Sequence, residues 1–190
     1  MDINKLERSI GILLTFLIFT GQSAWAQSTL YATSAGQTSF FSKTPVEDIK
    51  AVNKKTQVIL NTTSGEIAVR MNMRDFDFPN ELMEEHFNEN YMESAKYPTS
   101  TFKGKVDQDI DLTKNGTYNL TASGTFTIHG KSQNRTLKGD ITVKGGEILI
   151  NSEFNVSLSD HSIDVPKIVF VKIAQNIQVK SSYSMVPYKQ

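Results

Sequence analysis

Apolar and polar residues alternate between positions 117 and 128, and this is the clearest pattern along the chain. Thr, Asn or Ser fills every position between the members of one face, which are Tyr118, Leu120, Ala122, Gly124, Phe126 and Ile128. A period of two predicts an antiparallel β-strand with one buried face and one solvated face. We therefore expect Phe126 to point into a core and Thr125 to point outward.

Further strand patterns run along most of the remaining chain. They cover residues 38–43, 57–62, 66–74, 102–112, 137–143, 148–158, 168–173 and 177–186. Turn residues separate several of them: Ser64-Gly65 and Gly145-Gly146 join neighbouring strands, and Asn115-Gly116 is typical of a type I′ hairpin turn. Many short antiparallel strands predict an all-β domain, and the pattern alone leaves open a sandwich or an up-and-down barrel.

One segment, residues 82–104, interrupts the strand pattern with Met, aromatic and acidic residues. A helix over residues 82–91 places an apolar stripe on one face, formed by Leu82, Met83, His86, Phe87, Asn90 and Tyr91. Asn80 is the expected N-cap, and Pro98 stops the helix from continuing. A short amphipathic helix in an all-β chain typically covers a sheet edge or a barrel end, so we predict a lid.

The same segment resembles the signature block of the YceI-like family, through LMEEHFNENYMES and KYPTSTFKG. Residues 124–130 (GTFTIHG) and 154–160 (FNVSLSD) resemble that family too, and the similarity spans residues 38–188. It implies a lipocalin-like antiparallel barrel of about eight strands, exported across the bacterial inner membrane and associated with isoprenoid or other long-chain lipids. Family members often carry a histidine in the first strands, but residues 39–45 (SFFSKTP) have none, so a ligand contact through it does not transfer.

The N-terminus predicts export. Lys5 and Arg8 precede an apolar run over residues 10–19, and Ala24-Trp25-Ala26 provides a small-residue cleavage site. We expect residues 1–26 to be a removed signal peptide and residues 27–190 to form a single domain, periplasmic or secreted. The run is shorter than the roughly 20 residues of a membrane span, which argues against stable membrane insertion.

Composition excludes several classes of function. The 190-residue chain carries 20 basic and 20 acidic residues without charge runs, so nothing predicts a nucleic-acid surface. It has no cysteine, which excludes disulfides, thiol catalysis and thiolate metal sites. His86, on the apolar helix face, is expected to be a core or rim residue, and His129 a turn residue. Asp160-His161 lacks a nucleophile turn, and Glu85, His86 and Glu89 lack further metal ligands of recognisable spacing. We expect no enzyme, no metal and no cofactor other than a bound lipid.

Long and flat side chains dominate the positions that we expect to face inward or to lie on the lid. As ligand-binding residues we predict Met71, Met73, Phe76, Phe78, Met83, Phe87, Tyr91, Phe102, Phe126, Phe154 and Phe170. Ala122, Gly124 and Gly139 lie where a tightly packed core would favour Leu or Ile, and Met adapts to flexible ligands. Both features favour a ligand tunnel, although each of these residues alone is compatible with a solid core.

Two functions remain open at this stage. The first is a periplasmic carrier of a polyisoprenoid, an isoprenoid quinone or a fatty-acid derivative. The second is an exported, non-catalytic β-domain with a filled core that acts as a structural or interaction module. Lys96, Lys103, Lys105 and Arg74 lie near the predicted lid in sequence and could meet an anionic headgroup, but are more typical of solvated strand ends. The sequence leaves the oligomeric state open, and a homodimer formed by edge pairing, which is common for such barrels, is one alternative.

Overall fold

Antiparallel strands make up most of the described chain, as the alternating pattern predicts. The computed structural model describes residues 29–43, 48–108, 111–112, 114–165 and 173–188. The strands in these ranges are β1 (Leu30–Lys43), β2 (Asp48–Asn61), β3 (Glu66–Asn72), β4 (Phe76–Asp77), β5 (Thr99–Val106), β6 (Gly116–Ile128), β7 (Lys131–Lys144), β8 (Glu147–Ser157) and β9 (Asn176–Pro187).

Eight of these strands close into a barrel. Their order is β1-β9-β8-β7-β6-β5-β3-β2, and β2 pairs back onto β1. The two-residue strand β4 adds to β2, where Val52 faces Asp77. Closure satisfies the backbone groups that an open sheet would leave at its edges. The predicted all-β antiparallel barrel of about eight strands with one short helix is therefore confirmed.

The helix begins and ends close to the predicted positions. Helix α1 spans Glu81–His86, and a π-helical turn, Phe87–Tyr91, continues it. The Asn80 side chain caps it by accepting hydrogen bonds from the backbone N–H groups of Leu82 at 2.9 Å and Met83 at 3.3 Å. This places two otherwise unsatisfied donors in hydrogen bonds at the helix start, as an N-cap does. The amphipathic helix predicted from the sequence is confirmed, with the cap that the sequence indicated.

Among the described residues, no helix combines the length and the apolarity needed to span a bilayer.

The predicted turns at Ser64-Gly65, between β2 and β3, and at Gly145-Gly146 are confirmed, and Gly65 has a φ of 74°. Gly145 and Gly146 join β7 to β8 with φ values of 61° and 83°, as expected for a turn of this kind. The prediction of a hairpin turn at Asn115-Gly116 is wrong, because Gly116 already pairs with Val143 as the first residue of β6. The Asn115 side chain instead accepts a hydrogen bond from the Gly145 backbone N–H at 3.3 Å.

A further tight turn, between β6 and β7, consists of His129 and Gly130, with φ values of 51° and 69°. The sequence identified His129 as a turn residue, which is confirmed. Left-handed backbone is uncommon outside glycine, and histidine is among the residues that adopt it more readily. His129 is also buried, so its side chain is part of the structure that surrounds the turn.

Several predicted strand boundaries are wrong. The segment predicted as 66–74 ends at Asn72 and turns into the 3₁₀ helix Met73–Asp75, while the segment predicted as 102–112 is the strand Thr99–Val106. Ile173 lies in a bend, and the rest of the predicted strand 168–173 lies outside the described residues, as does the predicted signal peptide. β1 and β2 are longer than predicted. The pairing of β1 is irregular around the buried Gly36, and the additional part of β2 buries Asn53 and Thr56, so hydrophobic alternation does not reveal these parts.

The barrel interior has two parts. The end that carries the β2–β3 and β7–β8 turns is filled by apolar side chains, and Leu60, Ile141, Ile148 and Met185 are at most 1% exposed there. The opposite end, which carries α1 and the β6–β7 turn, is called the helix end. A second buried cluster occupies the helix end: Ala51, Met73, Phe76, Met92, Leu158, Ile163 and Val165.

Close contacts between neighbouring strands explain two glycines, Gly124 and Gly139, that the sequence analysis had taken as a sign of a ligand tunnel. A Cβ atom at position 124 would lie 2.3 Å from the carbonyl oxygen of Lys103, and one at position 139 would lie 2.4 Å from that of Asn151. Both distances are far below van der Waals contact. Glycine is therefore required at these positions by the neighbouring backbone, and neither position lines the main cavity described below.

Candidate functional site

A cavity of about 390 Å³ opens at the helix end of the barrel. Strands supply its walls, and the helix with its π-helical turn contributes Leu82, Met83, His86, Phe87 and Tyr91 to its rim. Nine of the eleven predicted ligand-binding residues line this cavity: Met71, Met73, Phe76, Phe78, Met83, Phe87, Tyr91, Phe126 and Phe154. The structure thus brings most of the predicted set to one apolar space, of the size typical for small-molecule pockets.

The other two predicted residues are not placed in this cavity. Phe102 lies deeper in the barrel and lines a separate cavity of about 80 Å³. Phe170 lies outside the described residues.

Four phenylalanines form a cluster beneath the helix. The Phe87 ring stacks on Phe40 of β1 at a centroid distance of 5.4 Å and contacts Phe78 at 5.0 Å and Phe76 at 5.7 Å. Offset and edge-to-face contacts at these distances are favourable beyond the area that they bury. This phenylalanine cluster (Phe40, Phe76, Phe78 and Phe87) attaches the helix to β1 and β4 at the cavity rim.

Sequence reasoning missed part of the lining. The missed apolar residues are Phe40, Ile49, Met92, Ile128, Val156, Leu158, Ile163, Ile173, Ile177 and Val179. Phe40 is the clearest case, because it lies in a predicted strand. Its inward neighbours two residues away are Thr38 and Ser42, both buried, so the inward face of β1 does not read as apolar.

Buried polar groups in the cavity wall are satisfied within the protein. The Thr38 hydroxyl lies 3.0 Å from both the Thr56 hydroxyl and the Tyr183 hydroxyl. Ser100 donates its hydroxyl hydrogen to the carbonyl oxygen of Thr127 at 3.0 Å. Burial raises the pKa of Tyr183 above its usual range, so this phenol stays neutral at physiological pH. The cavity-lining hydroxyls of Thr38 and Ser100 are therefore neutral and hydrogen-bonded within the protein.

The segment after the helix is held to the β6–β7 turn. The two ring nitrogens of His129 lie 3.0 Å from the Glu93 carboxylate and 3.1 Å from the carbonyl oxygen of His161. The Tyr97 ring packs edge-on against the imidazole of His129 at 4.4 Å, and it occupies the space where a Cβ at Gly130 would lie. Glu93 has a φ of 43°, so the chain bends sharply where it meets this turn.

His161 is fully buried behind the cavity wall. Its Nδ1–H donates to the carbonyl oxygen of Lys131 at 3.2 Å, and its ring lies edge-on to Phe126 at 5.4 Å. Burial is the largest influence on its pKa, which it lowers below the usual value for histidine. The sequence noted Asp160-His161 only as a polar pair, and the structure gives His161 a role in packing against the cavity wall.

Among the described residues, no Lys or Arg side chain lines the cavity. Lys103 and Lys105 are exposed on β5, and Lys105 pairs with Glu66 toward the filled end of the barrel. The Lys96 ammonium lies over the Tyr97 ring at 4.8 Å, and Arg74 is exposed. The exposure of Lys103 and Lys105 supports their interpretation as solvated charges on the outside of the strand.

The described residues contain no group of three or more His, Asp or Glu side chains that could hold a metal ion. His86 is exposed at the rim of the cavity. The sequence predicted either a core or a rim position for this residue, and the rim position is the one observed.

Three comparisons with known proteins bear on this site. The model of the YceI-like domain matches residues 24–185. No curated protein matches the chain significantly.

Solved structures with the same fold are distant in sequence. A polyisoprenoid binding domain from Saccharophagus degradans, implicated in plant cell wall breakdown, has a TM-score of 0.71 at 12% identity, over 85% of this chain and 99% of that one. BcnA of Burkholderia cenocepacia has a TM-score of 0.67 at 16% identity, over 80% and 96% of the two chains. A Campylobacter jejuni YCEI protein has a TM-score of 0.54 at 18% identity, over 72% and 81%. Since the family model matches most of the sequence and the barrel agrees with it, this chain belongs to the YceI-like domain family.

Proposed function

We propose that the protein is an exported, non-catalytic lipid-binding protein that holds a long apolar chain inside its barrel. The observation that carries this proposal is the cavity of about 390 Å³, whose walls are mostly aromatic, aliphatic and methionine side chains. A module that acts only through its surface has no need for an apolar space of this size. The cavity therefore favours the carrier over a barrel with a filled core.

The physical reason for such a cavity is the transfer energy of the ligand. Each methylene group removed from water contributes about 0.8 kcal/mol, so a long apolar tail does not cross an aqueous compartment unprotected. A protein that shields the tail needs shape and apolar lining, and it needs no reactive residues. The Saccharophagus degradans neighbour is described as a polyisoprenoid binding domain, and by analogy we propose an isoprenoid or another long-chain lipid here.

Native mass spectrometry of the purified protein tests this function. We expect an additional mass on the folded protein that disappears after extraction with organic solvent. The extracted protein should then regain a mass when it is incubated with a bacterial lipid extract. A protein that carries no lipid and takes up none would support the module with a filled core.

We further propose that residues 1–26 are removed on export, so that the mature protein begins at Gln27 in the periplasm or outside the cell. N-terminal sequencing of the protein from a periplasmic fraction should begin at Gln27. Recovery of the intact chain in the membrane fraction alone would contradict this.

A homodimer would require the outer surface of the barrel. Closure between β1 and β2 leaves the eight barrel strands without a free edge, so edge pairing is not available to them. Ile59 and Val186 are 49% and 52% exposed and both pair with Ala32. We place the dimer contact on this outer apolar row. Size-exclusion chromatography with light scattering should give a dimer for the wild type and a monomer for Val186→Lys, and a monomeric wild type would rule the dimer out.

A further inference from the structure

Strands β7 and β8 are paired along only part of their length. Six residue pairs join them, and the last pair toward the helix end is Gly139 with Ser152. Beyond it both strands continue, but residues 131–138 of β7 pair with β6 and residues 153–157 of β8 pair with β9. Among the described residues, no backbone ladder joins these two stretches to each other. We call the gap between them the seam.

Side chains bridge the seam in place of a ladder. Arg135 donates through Nη2 to the carbonyl oxygen of Asn155 at 2.7 Å, and Gln133 donates through Nε2 to that of Asp160 at 3.1 Å. We call Arg135 and Gln133 the latch. Arg135 is half-buried and Gln133 is exposed, so water competes for both hydrogen bonds. Each long side chain also loses rotamer freedom when it is held across the gap.

The helix end of the seam holds the 3₁₀ turn Ser159–His161, which follows β8. The fully buried His161 donates from Nδ1 to the carbonyl oxygen of Lys131 at 3.2 Å and packs edge-on against Phe126 at 5.4 Å. Its Nε2 has no hydrogen-bond partner in the described part of the chain. The turn therefore contacts β7 through packing and side-chain hydrogen bonds.

The seam adjoins the interior of the barrel. Leu137 on β7 and Phe154 on β8 flank the seam, and both line the smaller cavity. Phe154 and Val156 also line the main cavity. Separation of the two strands would therefore widen the mouth of the main cavity through the wall of the barrel.

The helix is held to the rim of the cavity more firmly than β7 is held to β8 at the seam. Moving the helix would separate the Phe87 ring from three other rings, at centroid distances of 5.0–5.7 Å, and would pull Met92 out of its buried cluster. Parting the seam breaks hydrogen bonds from three side chains and leaves the ladders on both sides intact. Because the latch groups can bond to water instead, their net contribution is small, whereas exposed apolar surface loses its whole burial contribution.

We propose that the barrel opens by parting at the seam, with Arg135 and Gln133 as the latch and the helix staying in place. The paired residues 139–144 and 147–152 form the hinge. The inference rests on the proposed function only for what passes through the opening, an apolar molecule, and it adds to that function the moving part of the barrel. The opening itself is a property of the protein alone and is measurable without a ligand.

Hydrogen exchange with mass spectrometry measures the opening in solvent-extracted protein. The hinge amides are the reporters, because they are paired when the seam is closed and are the next to separate when it parts. We expect Arg135→Ala to speed their exchange about tenfold, the low end for a hydrogen bond from a charged donor, and Gln133→Ala to speed it less. Gln133→Ala also serves if Arg135→Ala does not fold. Arg70→Ala is the matched control, because it removes an exposed arginine from β3, away from the seam.

Dye uptake measures whether the opening admits an apolar molecule. The chain has no cysteine, so Arg135→Cys combined with Asn155→Cys can be cross-linked across the seam with a short bismaleimide. The probe is N-phenyl-1-naphthylamine, whose fluorescence rises in apolar surroundings, mixed with solvent-extracted protein by stopped flow. We expect the cross-link to slow its uptake about tenfold or more relative to the same protein before cross-linking, and Arg135→Ala to speed uptake.

The outcomes separate this inference from the function on which it rests. Faster hinge exchange in a latch variant but not in Arg70→Ala, together with slower dye uptake after cross-linking, supports opening at the seam. If hinge exchange is unchanged in both latch variants, or if the cross-linked protein takes up dye at the original rate, opening at the seam is wrong while lipid binding stands. If the wild type binds neither dye nor lipid, the proposed function fails, and hydrogen exchange alone decides whether the seam opens.

Discussion

Phe87→Ala distinguishes a lid residue from a residue of a solid core. Phe87 contacts Phe40, Phe76 and Phe78 at centroid distances of 5.0–5.7 Å, yet it is only half-buried because part of its ring faces the cavity. Truncating a fully buried phenylalanine costs about 3–5 kcal/mol. Since this ring is only partly buried, we expect a smaller loss, of about 2 kcal/mol, in the free energy of unfolding. For a domain of this size, that lowers the melting temperature by about 4–8 °C.

The same substitution should weaken lipid binding more visibly than it weakens the fold. Removing the ring should take away contacts with about two or three methylene groups of the proposed tail, each contributing about 0.8 kcal/mol. A loss of about 2 kcal/mol corresponds to roughly 30-fold weaker binding. The assay is the amount of extractable lipid per mole of purified protein, measured by mass spectrometry. Circular dichroism provides the melting temperature of the same samples.

Phe41→Ala is the matched control, because the same side chain is removed from the outer face of β1. It should keep the full lipid content and lose less stability. The reasoning is refuted if Phe87→Ala fails to fold, which would make Phe87 an essential core residue. It is equally refuted if that variant retains the lipid content of the wild type.

Three further predictions concern the barrel itself. Phe126→Asp should prevent folding, because it buries an unpaired carboxylate at a cost of several kcal/mol. Thr125→Asp, on the outer face, should change the melting temperature little. Equal melting temperatures of the two variants would disprove the assigned inward and outward faces. Burial lowers the pKa of His161, so the unfolded state binds more protons below about pH 6.5 and stability should fall as the pH drops through that range. His161→Gln should show a smaller loss between pH 7 and pH 5 in urea titrations, and an unchanged pH dependence would contradict the assignment. Gly124→Ala places a methyl group 2.3 Å from the carbonyl oxygen of Lys103 and should cost about 1–3 kcal/mol in urea unfolding; wild-type stability would show that β5 and β6 are farther apart.

The sequence determined those elements whose cause is local. Period-two alternation over residues 117–128 identified β6 with its inward face, because a strand alternates its side chains whatever surrounds it. Asn80 and the apolar stripe identified the helix, because capping and helical spacing act within a few residues. The nine predicted residues that line the main cavity followed from the same patterns and from the resemblance to the YceI-like family.

Tertiary contacts decided the features that the local pattern misrepresented. β1 and β2 place Thr38, Asn53 and Thr56 in the interior, where hydrogen bonds make polar side chains acceptable, so their alternation is not hydrophobic. Asn115-Gly116 has the composition of a tight turn, yet Gly116 pairs within the sheet. A dipeptide permits a turn, but the register of the flanking strands determines whether one forms there.

The cavity was likewise determined by the tertiary structure. Phe40 and Phe87 are far apart in sequence, and only barrel closure and the path of the chain through β4 and α1 bring their rings together. The sequence could name apolar residues on inward faces, but it could not show whether they fill the space between them. A cavity remains when the volume that eight closed strands enclose is slightly larger than the volume of the side chains they direct inward. Only the assembled barrel fixes the enclosed volume.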